Sequence, residues 1–461
     1  MTDSNHDLFA SEPAPLETLD ALLREADAVY LKKLSLNDWQ WTENTDAHQG
    51  GVYIPAEARD SGFFPKLSRK ERKTTGHEIF ECFFDIDWII PAERKKARLV
   101  NYRSKGEETH LTRLVKSEFA QISPASLLVI FRMAKSESAI PQYRAMVADS
   151  SGPAFERLAD IFDLKCDFHS DIRIPRKALD SAARRAEVFL NDAVDAFFEG
   201  RFSSFSKAHE RMPDTVEMAE LARRAFFQTS GLKSLNPFAL RTPGDAVMTI
   251  SRDIEYGIFK EYQLRARACE LIKTIFGDDP GKTSPQAAVR AAISNFDDIN
   301  RIFLSAGQQR KSRAGYSFEH HLKRMLLDGD IPHEEQVVIE SKKRPDFILP
   351  SLRVYKDASR NTEDALVLSL KTTLKERWKQ VHGEIKNCDL YLGTLDENIA
   401  ANAIEDMATQ GIRLVVPESL KNSDVTTYRH MPNVISFSEF FSKDIRTKRF
   451  PIWSHLGLLK K

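Results

Sequence analysis

Across 461 residues, 67 Lys and Arg balance 67 Asp and Glu to a formal net charge of zero. That balance excludes a protein held to polyanions by its overall charge, while local basic patches remain open. The length admits two or three domains, no apolar run is long enough to span a bilayer, and the scattered Cys82, Cys166, Cys269 and Cys388 lack metal-ligand spacing, which predicts reduced thiols in a cytoplasmic protein.

Taken in order, Met1–Pro15 reads as a polar tail. Leu16–Tyr30 has apolar residues at helical spacing and predicts a first helix. From Val29 to about Met133 short β-like runs alternate with turn residues: Gly51–Pro55, Ile79–Phe84, Arg98–Tyr102 and Leu127–Phe131. This spacing predicts a small barrel or sandwich. Cationic and aromatic residues interleave there, among them Lys32, Lys33, Trp39, Trp41, Arg69, Lys70, Arg94, Arg98, Arg103 and Arg113. Such a set can serve phosphate contacts, though clusters of this kind are more often solvated surface. Pro141–Pro153 has the composition of a domain edge, and Phe155–Arg211 reads as largely helical.

Helices are then predicted over Thr215–Thr229 and Met248–Ile275, the latter carrying Arg252 and Tyr256, whose ring also fits a core aromatic. Pro285–Ser305 predicts another helix and Gln308–Arg313 a basic turn. Ser317–Leu327 follows as a helix with Ser317 as N-cap, Glu319 in its first turn and the His320-His321 pair behind it. Gln336–Glu340, Asp346–Leu349, Ala365–Thr373, Leu390–Thr394 and Arg413–Val416 read as strands of a mixed sheet. Leu374–Asn387 and Ile399–Thr409 are the helices covering it. Beyond Pro432, Lys443–Arg449 reads as an exposed basic segment.

The chain is organised around Arg344–Pro350 and Leu366–Lys371. Paired as adjacent strands, they place Asp346 and Lys371 side by side at one end of a sheet. A carboxylate there can hold a hard cation such as Mg2+, and the lysine can orient the attacking water and meet charge building on a phosphate. Glu384, on the following helix, can point back at the same spot. Turn chemistry and a solvated strand end account for each residue taken singly. The triplet Lys375-Glu376-Arg377 offers donors for guanine O6 and N7 and an acceptor for cytosine N4, and it also fits a helix-surface charge cluster.

Asp346 and Lys371 resemble the PD-(D/E)XK nuclease pattern. Lys371–Val381 and Arg310–Glu319 resemble EcoRII-type restriction endonucleases within it, over most of Arg252–Leu420. Tyr30–Ser35 and His48–Pro55 resemble their N-terminal DNA-binding domain, with Trp39–Asp46 departing from it. Ser369 stands where the superfamily has an acid two residues before the lysine, and Glu384 matches the position that supplies that carboxylate in this branch. The resemblance implies an α/β nuclease core of mixed sheet and flanking helices, joined by a helical connector to a mainly-β pseudobarrel. The expected domains are 16–150 (pseudobarrel, regulatory), 151–211 (connector) and 212–461 (catalytic).

It further implies Mg2+-dependent, sequence-specific cleavage of double-stranded DNA at a short site with CC/GG halves, as CCWGG or CCNGG. Asp346 and Glu384 would bind the metal, Lys371 would assist the water, and Glu319 would support them. Lys375, Glu376 and Arg377 would read bases, Arg252 and Tyr256 would handle a flipped nucleotide, and Lys33, His48 and Arg113 would bind a second DNA copy. A homodimer, no membrane association, and a separate methyltransferase acting on the same site complete the expectation. A nicking or repair nuclease, or a DNA-binding regulator with an inactive core, remains the alternative.

Overall fold

The computed structural model of the chain describes residues 15–42, 50–70, 78–103, 106, 108–120, 122–134, 141–277, 280–339, 344–374 and 387–459. The chain divides into two compact units, Met1–Arg184 with Asp424–Thr427, and Arg185–Ser423 with Tyr428–Lys461. Among the described residues, no helix is long and apolar enough to cross a membrane.

In the first unit the described strands are β1 (Ala26–Lys33), β2 (Val52–Ile54), β3 (Ser68–Arg69), β4 (Ile79–Trp88), β5 (Glu93–Tyr102), β6 (Thr109–Thr112), β7 (Leu127–Met133), β8 (Tyr143–Ala148) and β9 (Ser170–Arg173). They form one sheet in the order β2-β6-β5-β4-β8-β7-β1-β9, with β3 beside β4. Successive side chains of a strand face opposite ways, so the sheet buries two cores. Val29, Leu31, Val129 and Phe131 meet Leu19, Leu22 and Leu23 of helix Pro15–Glu25 and Leu158 and Phe162 of helix Pro153–Phe162. Tyr30 packs on the other face with Phe63, Phe64, Phe84 and Tyr143.

The helix expected over Leu16–Tyr30 ends at Glu25. Val29-Tyr30-Leu31 instead pairs with Phe131, Ile130 and Val129, because these residues fit a pleated, doubly buried strand better than a helix.

Glu118 in this unit accepts Val147 N–H at 3.1 Å, and burial pushes its carboxyl up to about 7 despite that bond. A carboxyl raised on folding binds more protons folded than unfolded between the ordinary glutamate range and about pH 7. Stability therefore falls as pH rises through that window. We expect Glu118→Gln to gain on wild type by on the order of 2 kcal/mol between pH 5 and pH 8.5, read by urea unfolding at the two pH values.

The second unit's described strands are β10 (Glu334–Glu335), β11 (Phe347–Leu349), β12 (Leu366–Lys371), β13 (Asp389–Thr394), β14 (Ile412–Val416) and β15 (Val434–Ser436), in that spatial order. β10, β11 and β12 pair antiparallel, while β12 through β15 run parallel. Leu366–Leu370 is buried on both faces, as parallel strands between covering layers require. Helices Phe296–Asp328 and Ala401–Thr409 belong to this unit. It is thus a mixed sheet with flanking helices, as expected of an α/β core.

Four local expectations are corrected. Gln308–Arg313 is not a turn, and Ser317 is not an N-cap. Both lie inside one helix, Phe296–Asp328, where Arg313 is buried and Ser317 Oγ shares a 2.8 Å hydrogen bond with Ser251 Oγ. Gln336 follows β10 with φ +52° and ends the strand there, so the strand expected over Gln336–Glu340 lies at Glu334–Glu335. Lys443–Arg449, expected as an exposed basic segment, keeps only Lys443 and Arg446 of its basic residues exposed. It winds as π-helical turns over Phe440–Arg449, with Arg449 wholly buried and paired to Asp389.

Gly393 of β13 is required by close packing. A Cβ there would stand 2.7 Å from Leu370 Cδ2, with Phe437 and Phe318 behind. Gly393→Ala should cost about 1–3 kcal/mol in urea unfolding, because Leu370 must be displaced beside Lys371.

Candidate active site

β11 and β12 pair antiparallel, with Phe347 opposite Leu368. This register brings Asp346, just before β11, to the end of β12. Asp346 Oδ2 accepts Leu370 N–H at 2.6 Å and lies 3.4 Å from Lys371 Nζ. Lys371 Nζ also donates to Leu370 O at 2.8 Å. Asp346 is buried while the Lys371 side chain stays partly open, so the cation can meet a substrate arriving from solvent.

Glu319 reaches the same place from helix Phe296–Asp328. Gln336 Nε2 donates to Glu319 Oε2 at 3.4 Å and to Asp346 Oδ1 at 3.2 Å, bridging the two carboxylates. The Gln336 N–H donates to Asp346 O at 3.2 Å. Burial pushes the Glu319 carboxyl up to about 7. The Asp346 charge adds to the rise, and Lys371 opposes it.

The structure therefore brings Asp346, Lys371 and Glu319 together. Asp346 and Glu319 offer carboxylate oxygens, the donor type that suits a hard divalent cation rather than a soft metal. Among the described residues, no group of three or more His, Cys, Asp and Glu is placed to hold a metal ion. Glu384, Lys375, Glu376, Arg377 and His48 lie outside the described residues. Gln336 escaped sequence reading, since one glutamine in a short loop carries no periodic or motif signal.

Arg252 and Tyr256 stand one turn apart, where π-helical turns over Thr249–Glu255 pass into helix Tyr256–Phe276. Arg252 Nη1 donates to Glu397 Oε1 at 2.5 Å. The Tyr256 ring lies under Lys260 Nζ, 4.8 Å from its centroid, and under the Arg313 guanidinium, 5.2 Å away.

Between them and helix Phe296–Asp328 lies a buried charge cluster. Glu255 accepts Arg313 Nη1 at 3.1 Å on one oxygen and stands 2.9 Å from His321 Nε2 on the other. Burial keeps His321 neutral against the pull of Glu255. Arg223 Nη1 lies 3.4 Å from His321 Nδ1, so we assign the ring proton to Nε2, which donates to Glu255. His320 bonds Thr215 Oγ1 at 3.0 Å. The histidine pair is thus structural.

In the first unit, Lys33 is half-buried with Nζ 3.5 Å from Cys166 O, and Arg113 is exposed with its guanidinium 5.1 Å above Phe83. Part of the cationic set read as a phosphate surface is internally paired. Lys32 is buried against Asp38 at 2.5 Å, Arg94 is bound to Asp87, and Arg98 to Glu81.

Residues 282–441 match the family model described as EcoRII C terminal. The chain is 26% identical to the type II restriction enzyme EcoRII of Escherichia coli over 402 residues, covering 85% of this chain and 88% of that protein. It is 28% identical to the type II restriction enzyme SsoII of Shigella sonnei over 178 residues, covering 36% of this chain and 56% of that one. Among solved structures, metal-depleted Ecl18kI in complex with uncleaved, modified DNA is similar, with 22% identity, 54% of this chain and 84% of that chain covered, and a TM-score of 0.43.

Proposed function

We propose, from the premise that this chain is homologous to type II restriction endonucleases and carries an EcoRII C-terminal domain over residues 282–441, that it cuts double-stranded DNA at a specific short site. The observation that carries the reading is the convergence of Asp346, Lys371 and Glu319 at the end of β12.

Asp346, with Glu384, would hold a divalent cation, read as Mg2+, which would supply positive charge against the phosphate and make the attacking water more acidic. The Lys371 ammonium orients the water and stabilises charge on the phosphoryl oxygens as the water attacks phosphorus in line and the 3′-oxygen leaves. Asp346 is itself fixed by Leu370 N–H and Gln336, so it meets its ligand without first reorganising. Glu319 supports it through the Gln336 amide.

Lys375, Glu376 and Arg377 lie only a few residues beyond Lys371 in the chain and suit G·C reading, which ties recognition of CC/GG halves to chemistry. Arg252 and Tyr256 are assigned to an extruded central nucleotide, and a two-fold homodimer to the symmetry of the target. We assign residues 16–150, with helix Pro153–Phe162 and β9 that complete their core and sheet, to a pseudobarrel that binds a second DNA copy through Lys33, His48 and Arg113 and regulates cutting, the rest of 151–211 to a connector, and 212–461 to catalysis.

Incubating plasmid with the full chain and Mg2+ tests the reading. Discrete fragments with one end sequence are expected. Nicked circles alone would favour a repair-type nuclease, and intact DNA bound by the protein would favour a regulator with a dead core.

A further inference from the structure

β12 and β13 run parallel with Lys371 opposite Thr394. The residues just past Thr394 therefore stand beside those just past Lys371. Two of them are adjacent acids, Asp396 and Glu397, and both are buried. Neither was singled out by motif or spacing, and the cleavage steps above do not use them.

Each acid has a different task. Asp396 Oδ2 accepts Leu374 N–H at 2.7 Å, the last backbone donor described before Lys375-Glu376-Arg377. Asp396 is itself fixed: its Oδ1 accepts Asn398 N–H at 3.0 Å, its N–H donates to Thr394 Oγ1 at 3.1 Å, and its carbonyl accepts the buried Tyr428 hydroxyl. Glu397 faces the other way and receives Arg252 Nη1 at 2.5 Å, while Arg252 also reaches Leu395 O at 3.4 Å. The turn after β13 thus grips the strap leaving Lys371 with one carboxylate and Arg252 with the next. A buried acid with an anchored backbone is stiff, and a charge-assisted bond to it fixes the direction of the guanidinium.

We infer that Asp396 and Glu397 form a positioning element that sets Arg252 and the segment after Lys371 in one frame, so that Arg252 meets its nucleotide only in the geometry in which Lys371 meets the phosphate. Neither acid touches the reacting atoms. They act through Arg252 and through the Leu374 backbone. The inference rests on the cleavage reading.

The test is a double-mutant cycle on the full chain, using the DNA fragment that the wild type cuts. Single-turnover cleavage in Mg2+ and DNA binding in Ca2+ are measured for wild type, Glu397→Gln, Arg252→Ala and the double variant, with thermal melting of each. Glu397→Gln keeps the shape and removes the charge. It should slow cleavage by roughly tenfold while the dissociation constant stays within about twofold, and it should add nothing in the Arg252→Ala background. Glu397→Asp, which keeps the charge, should recover part of the rate, and it carries the test should Glu397→Gln melt below the assay temperature. Additive effects, an unchanged rate, or a rate loss matched by an equal loss of binding would overturn the inference alone. A wild type that leaves all DNA intact would overturn it together with the cleavage reading.

Discussion

Lys371→Ala should leave DNA bound and uncut. Removing one preorganised donor or cation from a transition state costs on the order of 10²–10³ in rate. With the same residue proposed to orient the water, single-turnover cleavage should fall to the limit of detection. Binding should survive, because Lys371 is one partly open cation and its loss leaves the sheet intact. Asp346→Asn should be as damaging, because it removes the charge while keeping an oxygen for Leu370 N–H. The double variant should be no worse than the weaker single variant, since the two groups work as one unit. Cleavage and anisotropy on the same duplex check all three. A Lys371→Ala enzyme cutting at the wild-type rate would remove the site assignment.

Glu255→Ala should be the most destabilising single change in the second unit. Glu255 is nearly inaccessible, and its carboxylate is the acceptor for buried Arg313 and for wholly buried His321. Burial already makes the Arg313 charge less favourable, and Glu255 is what counters that pressure. Cutting one partner from a buried ionic cluster leaves an uncompensated charge, worth about 3–5 kcal/mol. Urea unfolding at pH 7 reads the loss, and Glu255→Gln, which keeps an acceptor, should lose less. Glu255 also directly precedes Tyr256 and follows Arg252 by three residues. Glu255→Ala should therefore slow cleavage even well below its melting temperature.

The parts of the second unit that were legible in the sequence are those in which local preference and packing agree. Leu366–Leu370 is apolar without interruption, so it reads as a doubly covered strand, and the lysine that ends it marks the rim. Asp346 was legible because a proline and an apolar run flank it. What sequence reading missed depended on distant partners. Arg310–Arg313 resembles a solvated basic turn until Glu255, some sixty residues earlier in the chain, supplies the counter-charge that lets Arg313 stay in a helix. Lys32 resembles a phosphate contact until Asp38 folds back on it. Arg449 resembles tail charge until Asp389 and the Asp444 carbonyl, which accepts its Nη1 at 2.8 Å, enclose it. Charged residues have the same appearance in a sequence whether they face water or a buried partner.

The four parallel strands give the second unit a division of labour. Their carboxyl ends gather Lys371 and Thr394, while the opposite end holds Asp389 clamped by Arg449 and Lys448. Anchorage and the candidate site thus sit at opposite poles of one slab. Connections lengthened at the carboxyl pole should leave the clamp untouched, so crossovers there can vary without loosening the anchorage.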